Sequence, residues 1–103
     1  MDHKDFELVV EDQLRFTRGL LLAKGREYSL SGDRLEAFKK AANLQGETVE
    51  QALCGMLAKH VVSIYDMAMS GGEFPEAQWT EKITDAINYL LLLKAAVMEN
   101  EDA

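Results

Sequence analysis

The chain has 103 residues, nearly half of them apolar, and its 18 acidic against 11 Lys and Arg residues give a formal net charge of −7. That length suits one domain around one core, and that apolar content excludes an intrinsically disordered chain. The scattered basic residues argue against direct binding to nucleic-acid phosphate, and a lone cysteine, Cys54, excludes an intramolecular disulfide or a cysteine-based zinc site.

The first residues are broken by Asp2, His3, Lys4, Asp5 and Glu7, so no secretory signal is expected. No apolar run approaches the ~20 residues that span a bilayer, and a cytoplasmic location without a membrane partner is expected. Asp2 to Lys24 has the period of a first long helix, with Phe6, Val9, Val10, Leu14, Thr17, Leu20 and Leu21 on one face. Acidic residues load its early turns and Arg15, Arg18 and Lys24 its later ones, as the helix dipole favours. Gly25 is the expected stop, and Arg26 to Gly32, with Tyr28 and Leu30, the expected connection. Asp33 to Leu44 reads as a shorter helix capped by Ser31 or Gly32, with Leu35, Phe38, Ala41 and Ala42 facing in.

After a loop at residues 45–47, Thr48 and Gln51 fit a capping box. From there Val49, Ala52, Leu53, Met56, Leu57, His60, Val61, Ile64 and Ala68 keep one face to about Ser70, on which Cys54 is expected as a buried thiol. Gly71 and Gly72 end this helix, and Pro75 stands near the start of a fourth that runs to about Glu99, beyond which residues 100–103 are expected to fray. In the fourth helix, Ile83, Ile87, Leu90, Leu91 and Val97 form an apolar stripe, and Leu90 to Leu93 cover most of the circumference, as in a buried helix. Glu81, Asp85 and Asn88 form a polar stripe turned toward a partner helix or a pocket. The predicted fold is an all-α antiparallel bundle of about four helices, a single domain over residues 1–103. Surplus apolar surface at Leu20–Leu22 and Leu90–Leu93 predicts a homo-oligomer, a dimer.

A hairpin of the last two helices around Gly71 and Gly72 brings Asp66 near Glu81 and Asp85, and His60 near Asn88. Three carboxylates on facing helices are the material of a magnesium or manganese site, and the competing reading is three solvated charges. His60 is expected as a hydrogen-bonded core histidine, with a catalytic or pH-sensing role the sharper alternative. Lys59, Lys24 and Arg26 are candidate phosphate-binding cations, and Tyr28, Asp33 and Arg34 extend the last two into a phosphate- or base-binding segment; ordinary loop and capping residues are the plainer reading. Trp79 is expected to pack the start of the fourth helix. No Gly-rich phosphate loop, nucleophile elbow or zinc-type histidine pair is present.

The segments KGREYSL, DRLEAFKKAA, GMLAKHVVSIYDM and WTEKITDAINYLLLL, spread from Lys24 to Leu93, resemble a group of small phage and prophage helical proteins. More distantly, the layout is similar to the nucleotide-modification-associated domain of phages and to the MazG-like nucleoside triphosphate pyrophosphohydrolases. The latter resemblance implies two acidic pairs on successive helices that hold magnesium, and cleavage between the α and β phosphates. The chain departs from that pattern. Glu81 and Asp85 are separated by three residues where the family has two; Glu47 and Glu50 have the first pair's spacing but open their helix; and Lys59 and His60 stand where acids are wanted. Two functions follow as expectations. The first is binding of a nucleotide-like phosphate ligand, with Mg2+ or Mn2+ and a pyrophosphohydrolase-like reaction. The second is a phage-encoded inhibitor of a host defence nuclease, of anti-CRISPR type, acting in the host cytoplasm through acidic surfaces.

Overall fold

The computed structural model describes residues 1–28 and 32–102, apart from the side chains of residues 27, 28 and 102. Four helices account for most of them: α1 (His3–Tyr28), α2 (Glu36–Gln45), α3 (Val49–Met69) and α4 (Glu76–Asp102). No strand occurs among the described residues. The chain is an all-α bundle, as the helical periods require. No helix among the described residues is long and apolar enough to cross a membrane.

Local chemistry sets the helix ends. Thr48 accepts from the Gln51 amide at 3.1 Å and the Gln51 side chain accepts from the Thr48 amide at 2.9 Å, which is the expected capping box of α3. Gly46, with φ +67°, takes the left-handed position that ends α2, and its amide reaches back to the carbonyls of Ala42 and Asn43. Gly71, with φ +72°, follows the end of α3, and Pro75 precedes α4, both as expected.

Two boundaries differ from the sequence reading. Gly25 does not stop α1; the helix continues to Tyr28. A single glycine weakens a helix without breaking it, and the Arg34 side chain packs against this one: a Cβ at Gly25 would lie 2.6 Å from its Nε, so the arginine would have to shift. At α2, Asp33 forms a turn ahead of the helix, where its Oδ1 accepts from the Leu35 amide at 3.0 Å, so α2 begins at Glu36. The expected cap Ser31 and the terminal Ala103 lie outside the described residues; α4 is helical through Asp102, past the point where fraying was expected.

α3 and α4 form the expected antiparallel hairpin, in which His60 meets Asp85 and Glu50 meets Asn100. α1 runs beside α4 in the same direction: Gln13 bonds Thr84, and Leu21 packs against the cluster that contains Leu92. The core sits toward the α4 C-terminal half, where Leu35, Leu53, Leu92 and Ala96 are buried together, with Leu21, Phe38, Val49, Tyr89 and Leu93 packed around them. α2 is tied to α4 by Lys39, whose ammonium bridges Asp33 and Glu99.

The faces of α4 are turned by about one residue from the expected ones. Thr84, Asn88, Leu92 and Ala96 are buried, while Ile83, Leu90, Leu91 and Val97 are exposed. The inward polar positions are satisfied in part by α1, since Gln13 Nε2 donates to Thr84 Oγ1 at 2.8 Å and to Thr17 Oγ1 at 3.0 Å. Cys54 is exposed on α3, not buried as expected, because the inward positions there are Ala52 and Leu53. The N-terminal half of α1 is also exposed, Phe6, Val9, Val10 and Leu14 included.

Candidate functional site

All four helices contribute to a cavity of about 400 Å³ on the inner side of α4. This falls within the roughly 300–1,000 Å³ of small-molecule sites. Its floor is apolar, made by Leu21 of α1, Ala37 and Phe38 of α2 and Leu92 of α4. Its polar groups arrive by helical spacing. Asp85, Asn88, Tyr89 and Leu92 are separated by three, one and three residues, so α4 presents them on one side. α3 adds His60, the end of α1 adds Lys24, and the turn before α2 adds Arg34.

The aromatic wall is ordered. The His60 ring stacks on Tyr89 with centroids 5.1 Å apart and planes 25° from parallel, and Phe38 meets Tyr89 edge-on at 6.4 Å. His60 Nδ1 lies 3.7 Å from Asp85 Oδ2, a pair that is ionic when the imidazole is protonated. Asn88 is only 6% exposed, and its side-chain oxygen has no hydrogen-bond partner among the described residues. A buried amide oxygen without a partner is costly, and Asn88 is one of the residues that line the cavity. At the mouth, the Arg34 side chain lies against the bare Cα of Gly25, so a residue that reads as a helix stop serves to seat a guanidinium.

The expected site residues separate into three groups. Lys24 lines the cavity. Arg26 is exposed and faces a neighbouring apolar groove between α1 and α4, which Arg34 also borders. Lys59 is exposed on α3 and does not line the cavity. Of the carboxylates, Asp85 borders the cavity and also a shallow cleft on the other side, where Glu81, Glu76, Thr80 and Thr84 join it. Asp66 is exposed on α3 and lines neither hollow. Among the described residues, no three His, Cys, Asp or Glu side chains gather as a metal-binding group. His60 and Asn88 do line one cavity, as the hairpin argument requires, and His60 also approaches Asp85.

Three contributors were not singled out by sequence as site residues: Phe38, Tyr89 and Gly25. Phe38 reads as an ordinary core apolar position and Gly25 as punctuation, and Tyr89 falls between the two stripes read on the fourth helix. Tyr89 was findable, since it lies one helical turn after Asp85, four residues on, on the same side of α4. Trp79 packs edge-on against Phe74 at 6.0 Å at the start of α4, as expected, and is not part of the cavity. No family model, curated protein or solved structure matches this chain.

Proposed function

We propose that the protein binds a nucleotide-like anionic ligand in the cavity between its four helices. The observation that carries this reading is the combination, in one enclosure, of an aromatic wall, an unpartnered buried amide oxygen and two cations at the rim. A base lies against Tyr89 and Phe38, and an exocyclic N–H donates to Asn88. Lys24 and Arg34 meet the phosphates, with Arg34 offering a planar fork of donors. The likeness to nucleotide-handling phage domains and MazG-like pyrophosphohydrolases points the same way.

A divalent ion enters this reading with the nucleotide. Magnesium on a phosphate keeps several waters and needs only one or two protein carboxylates. Asp85, which borders the cavity, supplies one; Glu81 lies in the neighbouring cleft and Asp66 on the outside of α3, and neither is needed. The test is a thermal-shift panel of nucleoside triphosphates and monophosphates, each with and without magnesium, on wild type and Arg34→Ala. The expected result is a higher melting midpoint for wild type with at least one nucleotide and a smaller rise for Arg34→Ala, because ligand binding favours the folded state. Pyrophosphate release in the same mixtures reads the hydrolysis that the MazG-like resemblance implies. No shift with any nucleotide, with or without metal, rejects the binding reading.

A second reading has its own observation. Asp2, Asp5, Glu7, Glu11 and Asp12 are all exposed along the start of α1, an acidic strip of the kind that competes for a basic nucleic-acid channel. Under that reading the protein inhibits a defence nuclease, and the inhibition is lost when these five residues are neutralised and unaffected by Arg34→Ala.

A further inference from the structure

We propose that a second copy of this chain packs its α1 antiparallel against α1, across a twofold axis near Leu14. The inference stands apart from the ligand cavity and rests on the pattern of one exposed stripe. Glu7, Glu11, Leu14 and Arg18 follow one another at spacings of four, three and four residues, which places them in line along a helix. All four are exposed, and among the described residues none of the three charged ones has an ion-pair partner. The stripe is acidic at one end, apolar in the middle and basic at the other. The wider helix repeats the division: residues 2–13 hold five acids and one lysine, whereas residues 14–26 hold four basic residues and no acid.

Such a stripe complements itself only when reversed. Two parallel copies would set acid against acid and base against base, a like-charge arrangement that costs stability. Antiparallel copies with the axis between Leu14 and Arg15 set Glu11 opposite the partner's Arg18, and Glu7 opposite the partner's Leu22. Phe6, Val10 and Leu14, exposed at 57%, 39% and 60%, flank these pairs and supply the apolar area that the ion pairs alone would not. A twofold interface of this kind uses one patch twice. A helix of 26 residues gives a contact about 39 Å long.

The test is sedimentation velocity at micromolar concentration on wild type, Glu11→Arg, Arg18→Glu and the double exchange Glu11→Arg/Arg18→Glu, with circular dichroism as the check on folding. Wild type is expected at dimer mass. Each single reversal should weaken association by about tenfold or more, and the double exchange should restore it to within a few-fold of wild type. A wild type that sediments as a monomer overturns the proposal, and so do folded single variants that associate normally or a folded double variant that does not recover. If a reversal prevents folding, Leu14→Cys in a Cys54→Ser background decides instead. Mild oxidation should trap a covalent dimer through position 14 and none through the control Lys59→Cys, and equal or absent trapping at 14 overturns the arrangement.

Discussion

Asn88 is where stability and function part company. Its amide oxygen is buried without a partner among the described residues, so in the free protein it is a liability, and in the proposed complex it would be the acceptor for a ligand N–H. Replacing a buried, unsatisfied polar group by an apolar one of similar size removes a desolvation penalty of roughly 1–3 kcal/mol. Asn88→Leu is therefore expected to raise the unfolding free energy by about 1 kcal/mol in urea denaturation while it abolishes nucleotide binding. A destabilised variant would mean that the amide makes a contact the free fold depends on. Arg34 works differently. Its side chain lies against Gly25, where a Cβ would meet the guanidinium Nε and displace it, so Gly25→Ala is expected to weaken binding, but by less than Arg34→Ala, which removes the cation altogether. Affinity titration of the two variants side by side checks this. Neither role was legible in the sequence. The periodicity of α4 showed a polar stripe through Asn88, and the acidic Glu81 and Asp85 on it drew the chemistry toward metal. What the helical period does not report is which stripe faces inward when both faces carry apolar residues, and Leu90 to Leu93 offer apolar groups in every direction.

At the scale of the elements, the same turn of α4 predicts a reversal in which leucines matter. Leu53 and Leu92 are 1% and 6% exposed, whereas Leu91 is 44% exposed. Leu53→Ala is expected to cost about 2–5 kcal/mol, the range for a buried leucine that leaves a cavity, and Leu91→Ala less than about 1 kcal/mol in the monomer. Equal costs in chemical denaturation would mean that the stripe through Ile83 and Leu91 is the buried one after all. The helix ends were the most legible part of the fold, because they depend on residues close in sequence: Thr48 with Gln51, Gly71 after α3 and Pro75 before α4 stand as expected. The start of α2 was less so. Asp33 accepts from the Leu35 amide two residues on and from Lys39 six residues on, and Lys39 is in turn held by Glu99 of α4, a link that spacing does not reveal. The Lys39 hydrogen bond, with the Leu35 amide second, holds the Asp33 carboxyl below its ordinary range, and Asp33 and then Glu99 hold the Lys39 ammonium above its own. The sign follows from each. The carboxylate contribution is present above the ordinary aspartate pKa and lost as pH falls through the lowered value, and the ammonium contribution is present below the ordinary lysine pKa and lost as pH rises through the raised one. At neutral pH both act. Lys39→Met should lower the melting midpoint at pH 7, and the difference from wild type should shrink as pH falls below the ordinary aspartate range and the Asp33 carboxylate is protonated.

The whole molecule is long for its core. Its 44 Å axis is little more than the length of α4, and the buried cluster occupies one end, while Phe6, Val9 and Val10 at the start of α1 are exposed. A twofold pairing through α1 covers that apolar surface and leaves the cavity, which lies toward the other end of α1 at Leu21 and Lys24, open to ligand. If the two copies fold as a dimer, the melting midpoint rises with protein concentration, and a midpoint constant from one to a hundred micromolar argues for a monomer. The central claim, that the enclosure of Asn88, His60, Tyr89, Lys24 and Arg34 is a nucleotide site, is tested most directly by nuclear magnetic resonance. A nucleoside triphosphate is titrated with magnesium into labelled protein, and the Asn88 side-chain amide is followed together with the backbone amides. The account predicts saturable shifts at the Asn88 amide and at Lys24, Arg34, His60 and Tyr89, with residues 2–12 unmoved. Shifts confined to the exterior of α3 around Lys59 and Asp66, or no shifts at millimolar nucleotide, would contradict it.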